Sequence, residues 1–296
     1  MLIVPLVAWG EHHVRMARYC IASLWAEGNL PDVESRLQIY TDTPEAFKGY
    51  AEVYPIALRP EQQKHHLTAE CYERAMTYGH PIVPVASDMV CSKGMLSAIE
   101  KHVGSKRLVV VPVPRVDAAK MIEAIPLYDE VVNLSSRDLC RLSLSRIHPH
   151  QLEMFGSSRT RTAQPTTVFR RDGDTIIARC FHMHPIMMQG FAPGMANKCE
   201  RSGIDAWVVD EVPHDQIHVV TDSDEMMVVD LTDAEYDWEP GWKGVEIDPL
   251  NWAARKTNRT HRWFFTHECY LHAGERRELP RDPWIEDFCE KVNAWR

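Results

Sequence analysis

Residues 2–8 read LIVPLVA, residues 13–26 read HVRMARYCIASLWA and residues 37–41 read LQIYT. This strand–helix–strand succession decides the fold. The first run is apolar throughout, as a strand covered on both faces requires. In the second, Val14, Ala17, Ile21 and Leu24 recur three and four apart, the spacing of one helix face. The third run ends in Asp42. Working outward, the pattern predicts a strand over 53–58, a helix over 65–78, a short strand over 82–86, a helix over 94–102 and a strand over 107–113. Strands separated by helices of this length build βαβ units and a mostly parallel sheet. Beyond residue 115 the pattern loosens. It predicts a helix over 137–146, strands over 166–169, 175–180, 216–220 and 225–231, a loop over 234–250, and helices over 251–270 and 283–295. The expected architecture is α/β, one domain over 1–296.

The 296 residues carry 33 Lys+Arg against 42 Asp+Glu, a formal net charge of -9. A nucleic-acid binder needs a basic stripe, so that partner is excluded. No run reaches the about 18 apolar residues that suggest a membrane span, so an integral membrane protein is not expected. The apolar opening lacks the positive segment of a signal peptide. The eight cysteines form no C-x-x-C pair and read as reduced thiols of a cytoplasmic protein.

Candidate chemistry collects where strands end. Asp88, in Val85-Ala86-Ser87-Asp88-Met89-Val90, follows a predicted buried strand, the place where open α/β sheets bind ligands. It reads either as a helix cap or turn acceptor, or as a carboxylate for a divalent cation. Trp9-Gly10-Glu11-His12-His13 follows the first strand and reaches the same edge, with Gly10 permitting close approach of a base or phosphate. If the strand beginning at Thr175 continues to His184, then His182 and His184 share a face and can share a metal or an anion, with Asp205 and Asp210 supplying oxygens. The competing reading is structural packing. Asp222-Ser223-Asp224-Glu225 spells an acidic D-x-D but reads first as a turn. Arg137 and Arg141 share a helix face and reach either phosphate or salt-bridge partners. The dinucleotide fingerprint, the P-loop and the serine-hydrolase elbow are absent.

The order of these segments resembles glycosyltransferase-like proteins of the nucleotide-diphospho-sugar transferase (GT-A) fold, in a bacterial branch. The matching residues are the first strand running into Trp9-Gly10, the strand ending Ile39-Tyr40-Thr41-Asp42, and Ser87-Asp88-Met89-Val90 with Gly94. Phe181-His182-x-His184-Pro185, Ile204-Asp205 and Thr221 to Glu225 complete the set. The resemblance implies a GT-A-like fold with a mostly parallel central sheet and a β-containing acceptor-side elaboration. It implies a nucleotide-binding half over 1–115 and an acceptor-side half with C-terminal helices over 116–296. The activity implied is metal-assisted transfer of a sugar from a nucleotide-diphosphate donor to a glycan or small-molecule acceptor, with a homo-oligomeric state left open. Asp88 then holds Mn²⁺ or Mg²⁺, joined by His182 and His184. Ala8, Trp9, Gly10, Thr41, Asp42 and Ser87 line the nucleotide, and Asp205 or Asp210 is the catalytic base. The sequence departs from that family where two acids one residue apart are usual, having Ser87-Asp88 alone. Two other readings stand beside this one. They are a catalytically silent sugar- or nucleotide-binding protein on the same scaffold, and a metal-dependent hydrolase centred on His182 and His184.

Overall fold

The structure is a computed structural model that describes residues 1–57, 64–152, 166–192, 194–198, 208–233 and 247–295. In chain order its elements are β1 (Leu2–Ala8), α1 (Gly10–Leu24), β2 (Ser35–Thr41), β3 (Val53–Pro55), α2 (Lys64–Met76), β4 (Val85–Ala86), β5 (Met89–Cys91) and α3 (Met95–Glu100). There follow β6 (Leu108–Val111), β7 (Arg115–Asp117), α4 (Ala118–Ala124), α5 (Ser136–Leu144), α6 (Pro149–Leu152), β8 (Thr167–Asp172), β9 (Thr175–Cys180), β10 (His184–Met188) and α7 (Met195–Lys198). The last are β11 (Ile217–Val219), β12 (Val228–Thr232), α8 (Pro249–Lys256), α9 (Arg259–Phe264), β13 (Cys269–His272) and α10 (Pro283–Asn293). They form two compact units. Unit 1 comprises Met1–Val111, Pro126–Ser135 and His184–His218; unit 2 comprises Pro112–Ile125, Ser136–Met183 and Val219–Arg296.

Unit 1 is built on β1. All seven of its residues are buried, and it pairs in parallel with β2 on one side and β4 on the other. The four-stranded order is β3-β2-β1-β4. Ile82 bridges Ile3 in parallel and Met188 antiparallel, so the sheet continues through β10 to β6 and β11. Pro5 sits in this central strand, where a missing N–H normally breaks the ladder. The register explains it. Ile3 faces Ile82 and Leu6 faces Val85, so Pro5 comes opposite Pro84, in the gap between that bridge and β4.

Helix α1 buries Met16, Ala17, Cys20, Ile21 and Leu24 as one stripe. The chain then turns at Gly28 and Asn29. Asn29 is fully buried; its amide nitrogen donates to Ser23 O (2.9 Å) and Ser92 O (3.1 Å), and its oxygen accepts from Leu96 N (2.9 Å). Ser23 Oγ accepts from Cys91 N at 3.1 Å. These bonds tie β5 and the start of α3 to the end of α1. Gly28 has φ +74°, and a Cβ there would lie 2.7 Å from Gly94 Cα.

In unit 2, β8, β9 and β13 form an antiparallel sheet in the order β13-β9-β8, and β7 pairs in parallel with β12. Its main core gathers Phe181, Trp252, Phe265, Ile285 and Phe288. The continuous helix expected over 251–270 is corrected by the structure. Helix α8 stops at Lys256, and Asn258 starts α9 with a capping box in which Asn258 Oδ1 accepts from His261 N and His261 Nδ1 accepts from Asn258 N. An Asn side chain competes with helix continuation and favours a cap instead. The chain beyond becomes β13. Among the described residues seven cysteines are buried with free thiols, and burial pushes them up, to about 11 at Cys91 and Cys289 and about 12 at Cys71, Cys140 and Cys180.

Gly28→Ala combines left-handed strain with a backbone clash, each costing on the order of 1–3 kcal/mol. Urea unfolding should show a loss of at least ~2 kcal/mol. Gly104→Ala, whose added Cβ would meet nothing within 4 Å, should lose only the strain component.

Candidate functional site

The parallel register brings three chain ends to one level of the unit 1 sheet. Ala8 faces Thr41, and Ser87 follows Ala86, which faces Val7. One residue further on lie Trp9, Asp42 and Asp88. β10 runs antiparallel to the Ile82 segment and to β6, so β6 runs with β1. His184, opposite Val111 at the end of β6, therefore opens β10 at the same carboxyl edge.

Gly10, with φ +69°, begins α1, and its N–H donates to both oxygens of Asp42, at 3.1 and 3.0 Å. Trp9 at the N-cap position gives no side-chain acceptor, so the carboxylate from the end of β2 does that work. It also complements the positive end of the helix dipole. Thr43 Oγ1 donates to Asp42 Oδ1 at 3.1 Å, and Thr43 N donates to the buried Thr41 Oγ1 at 3.1 Å. His13, in the first turn of α1, meets the buried Ser87 Oγ through Nδ1 at 3.0 Å. Its ring packs against Trp9 at 4.9 Å and His12 at 5.2 Å. Trp9 Nε1 is buried without a hydrogen-bond partner among the described residues, a donor left over at the rim of the edge. Asp88 is half-buried. Its charge, after burial and Cys91, helps to hold the Cys20 thiol well above its ordinary range.

The edge thus brings together Ala8, Trp9, Gly10, Thr41, Asp42, Ser87, Asp88 and His184. Other expected residues fall elsewhere. The strand from Thr175 ends at Cys180 and β10 starts at His184, so alternation does not carry His182 and His184 onto one face. Phe181, fully buried and stacked on Phe265 at 4.1 Å, takes the chain out of the strand. In unit 2, His182 stacks on His261 at 4.3 Å and lies 6.3 Å from Trp252. Asp210 is exposed, in the single turn Val208–Glu211 of unit 1. Asp205 lies outside the described residues.

A second polar cluster, in unit 2, gathers ligand atoms of Asp222, Asp224 and His272 within 4.8 Å of one another. His272 stands fifty residues from Asp222, and nothing in the sequence pattern points to it. The fully buried ring faces Gly274 O through Nδ1 (2.8 Å) and Asp222 Oδ1 through Nε2 (2.9 Å). Both ring nitrogens therefore meet oxygen atoms. Arg137 grips Asp224 with two bonds of 2.8 and 2.7 Å, and Arg276 reaches Asp222 Oδ2 at 3.1 Å. Asp222 also accepts from Asp224 N at 2.9 Å, which makes the segment a turn. The Arg137 guanidinium holds the Asp224 carboxyl below its usual range. The donor set suits a divalent cation, which would have to displace two arginines. Arg137 and Arg141 both have protein partners, Arg141 on Asp138 and Ala273 O.

No family model matches the chain, and no curated protein does. Among solved structures, TarS from S. aureus overlays 39% of the chain at 13% identity and a TM-score of 0.30. TarS residues 1-349 alone and with UDP-GlcNAc each overlay 39%, at TM-scores of 0.30 and 0.29 and identities of 12% and 10%. The overlays span 22%, 36% and 35% of those chains. An overlay of this extent transfers no residue role and no activity. No helix among the described residues is long and apolar enough to cross a membrane.

One histidine of unit 2 sets a pH dependence. His148 is fully buried, with Nε2 on Asp233 O at 2.9 Å and Nδ1 accepting from His150 N at 3.3 Å, and burial pushes it below its ordinary 6.5. The unfolded chain takes up this proton first. The stabilisation is therefore complete above about pH 6.5 and is lost as pH falls from there through the folded value. Urea titrations between pH 7.5 and 5 should show a shallower decline for His148→Gln than for the parent chain.

Proposed function

We propose that the carboxyl edge of the unit 1 sheet is a nucleotide-diphosphate-sugar site, and that the chain transfers the sugar to a glycan or small-molecule acceptor. The observation that carries this reading is the convergence of Trp9-Gly10, Thr41-Asp42 and Ser87-Asp88 at one level of a parallel sheet, with His184 at the same edge. Ligands of open α/β sheets bind there because strand ends supply groups from several chain segments without opening the core.

In this reading Asp42 stays on Gly10 N and turns its remaining lone pairs to ribose hydroxyls. That bond occupies the first N–H of α1, and the diphosphate is placed toward Asp88. Trp9 walls the base side, and its unmatched indole N–H is a donor for a ligand oxygen once the rim rearranges around it. Ser87, fixed by His13, sets the backbone that presents Asp88.

The residues fit a divalent cation by donor chemistry. Asp88 offers one carboxylate and His184 an imidazole, while Ala86 stands where a second acid would share the load. One oxygen and one nitrogen suit Mn²⁺ better than Mg²⁺, which prefers an all-oxygen octahedron. When bound, such an ion neutralises charge on the leaving diphosphate. His184 enters in preference to His182, whose ring is packed on His261 in unit 2. Asp210 or Asp205 is assigned the acceptor proton, as an inverting transfer requires a base opposite the leaving group. Ala86 also favours a second reading, a protein that binds the nucleotide sugar without turning it over.

Thermal unfolding with UDP, GDP, CMP and their sugar conjugates, with and without Mn²⁺, tests the site. One nucleotide should stabilise the chain by about 2.7 kcal/mol at a hundredfold excess over its Kd. The Mn²⁺-dependent part should vanish in Asp88→Ala and persist in Asp224→Ala, which leaves the carboxyl edge untouched. No stabilisation by any nucleotide, in folded protein, overturns the reading. Stabilisation without release of free nucleotide, across a panel of acceptors, selects the silent binder.

A further inference from the structure

Unit 2 has a cavity of about 260 Å³ between the start of α8 and one face of α10. Pro249, Leu250, Trp284 and Phe288 line it, and Asp248, Asp287 and Lys291 complete the lining. The Trp284 and Phe288 rings stack nearly parallel, 8° apart with centroids at 5.3 Å. Leu250 and Trp284 pack against the main core of this unit, so the apolar wall is backed by fixed side chains. The rim is different. Asp287 and Lys291 are half-exposed and pair at 2.6 Å, and Asp248 caps α8 by accepting from Leu250 N at 3.0 Å.

We infer that this cavity is a carbohydrate-binding site that takes one neutral glycosyl ring. A pyranose has an apolar face of C–H groups and a circumference of hydroxyls. The cavity has an aromatic and aliphatic wall with acceptors and a donor around it. Each carboxylate keeps acceptor capacity beyond the bond it already makes, and the Lys291 ammonium keeps donors. Other ligand classes meet an obstacle. A lipid chain would use none of the acceptors and donors around the rim. An organic cation would face Lys291, and the one carboxylate that could best receive it is paired with that lysine. A nucleotide would bring its phosphates to two carboxylates. Size points the same way, because sites enclosing drug-sized ligands run to about 300–1,000 Å³, and this one is smaller. The inference goes beyond the donor site in unit 1 and does not depend on it. A chain that transfers nothing can still hold a sugar here.

The test is a titration of ¹⁵N-labelled full-length protein with glucose, N-acetylglucosamine and maltose, read at the Trp284 indole N–H resonance assigned from Trp284→Phe. Tetramethylammonium and uridine are titrated in parallel. The expected result is a saturable shift with at least one of the sugars and none with the other two probes. Asp287→Ala and Lys291→Ala change exposed residues and should leave thermal unfolding near that of the parent. Each should weaken the sugar roughly tenfold, the loss of one hydrogen bond to a charged group. Three results overturn the inference. They are no shift with any of the three sugars, a shift with tetramethylammonium or uridine in their place, or sugar affinity unchanged in both rim variants.

Discussion

The side-chain amide of Asn29 is hydrogen-bonded at both its nitrogen and its oxygen in the interior of unit 1. It reaches the last turn of α1 through Ser23 O, the strand end at Ser92 O, and the first turn of α3 through Leu96 N. In a dry interior each of these bonds is strong, and each would be costly to leave unmade. The consequence reaches the candidate site. Asp88 lies between β4, held by β1, and β5, held by Ser23 and the Asn29 hub. A carboxylate flanked on both sides by anchored strand ends is placed by the core. The neighbouring glycine follows from the same requirement, since the turn that delivers Asn29 brings Gly28 against the backbone of Gly94.

The two polar centres use their charge differently. In unit 2, Asp222 and Asp224 are met by Arg276, Arg137 and His272, so acids and bases largely cancel inside one knot. That balance stabilises a turn and makes entry of an ion an exchange. At the carboxyl edge of unit 1 the pairings that fix position are Asp42 on a backbone N–H and His13 on a serine hydroxyl. These partners orient the groups without neutralising them. A literal D-x-D spelling thus falls in the centre whose charges are already matched.

Strand–helix alternation was legible over the first hundred residues because β1 and β6 are apolar on both faces and α1 has a clear stripe. The level shared by Ala8, Thr41 and Ser87 follows from parallel pairing and was readable as a strand-end rule. Three things were not. Short strands such as β5 and β7 carry too few residues for a period to show. The break at Phe181 depends on stacking against Phe265, a partner 84 positions away in sequence. Asn258 reads as an ordinary polar residue until its side chain is seen capping α9, and that cap turns an expected long helix into two short ones followed by β13. His272 illustrates the general limit, for a buried hydrogen-bond partner contributed by a distant strand leaves no local spacing.

The buried thiols have a use that comes from their distribution. Cys20, Cys71 and Cys91 lie in unit 1, and Cys140, Cys180, Cys269 and Cys289 in unit 2. Only the thiolate reacts with an alkylating reagent, and burial both shields these sulfurs and keeps them protonated. Each therefore stays silent until its own stretch of backbone opens, then reacts in proportion to how often that stretch is open. The chain thus carries internal clocks inside each unit, at positions that can report which stretch of that unit opens first.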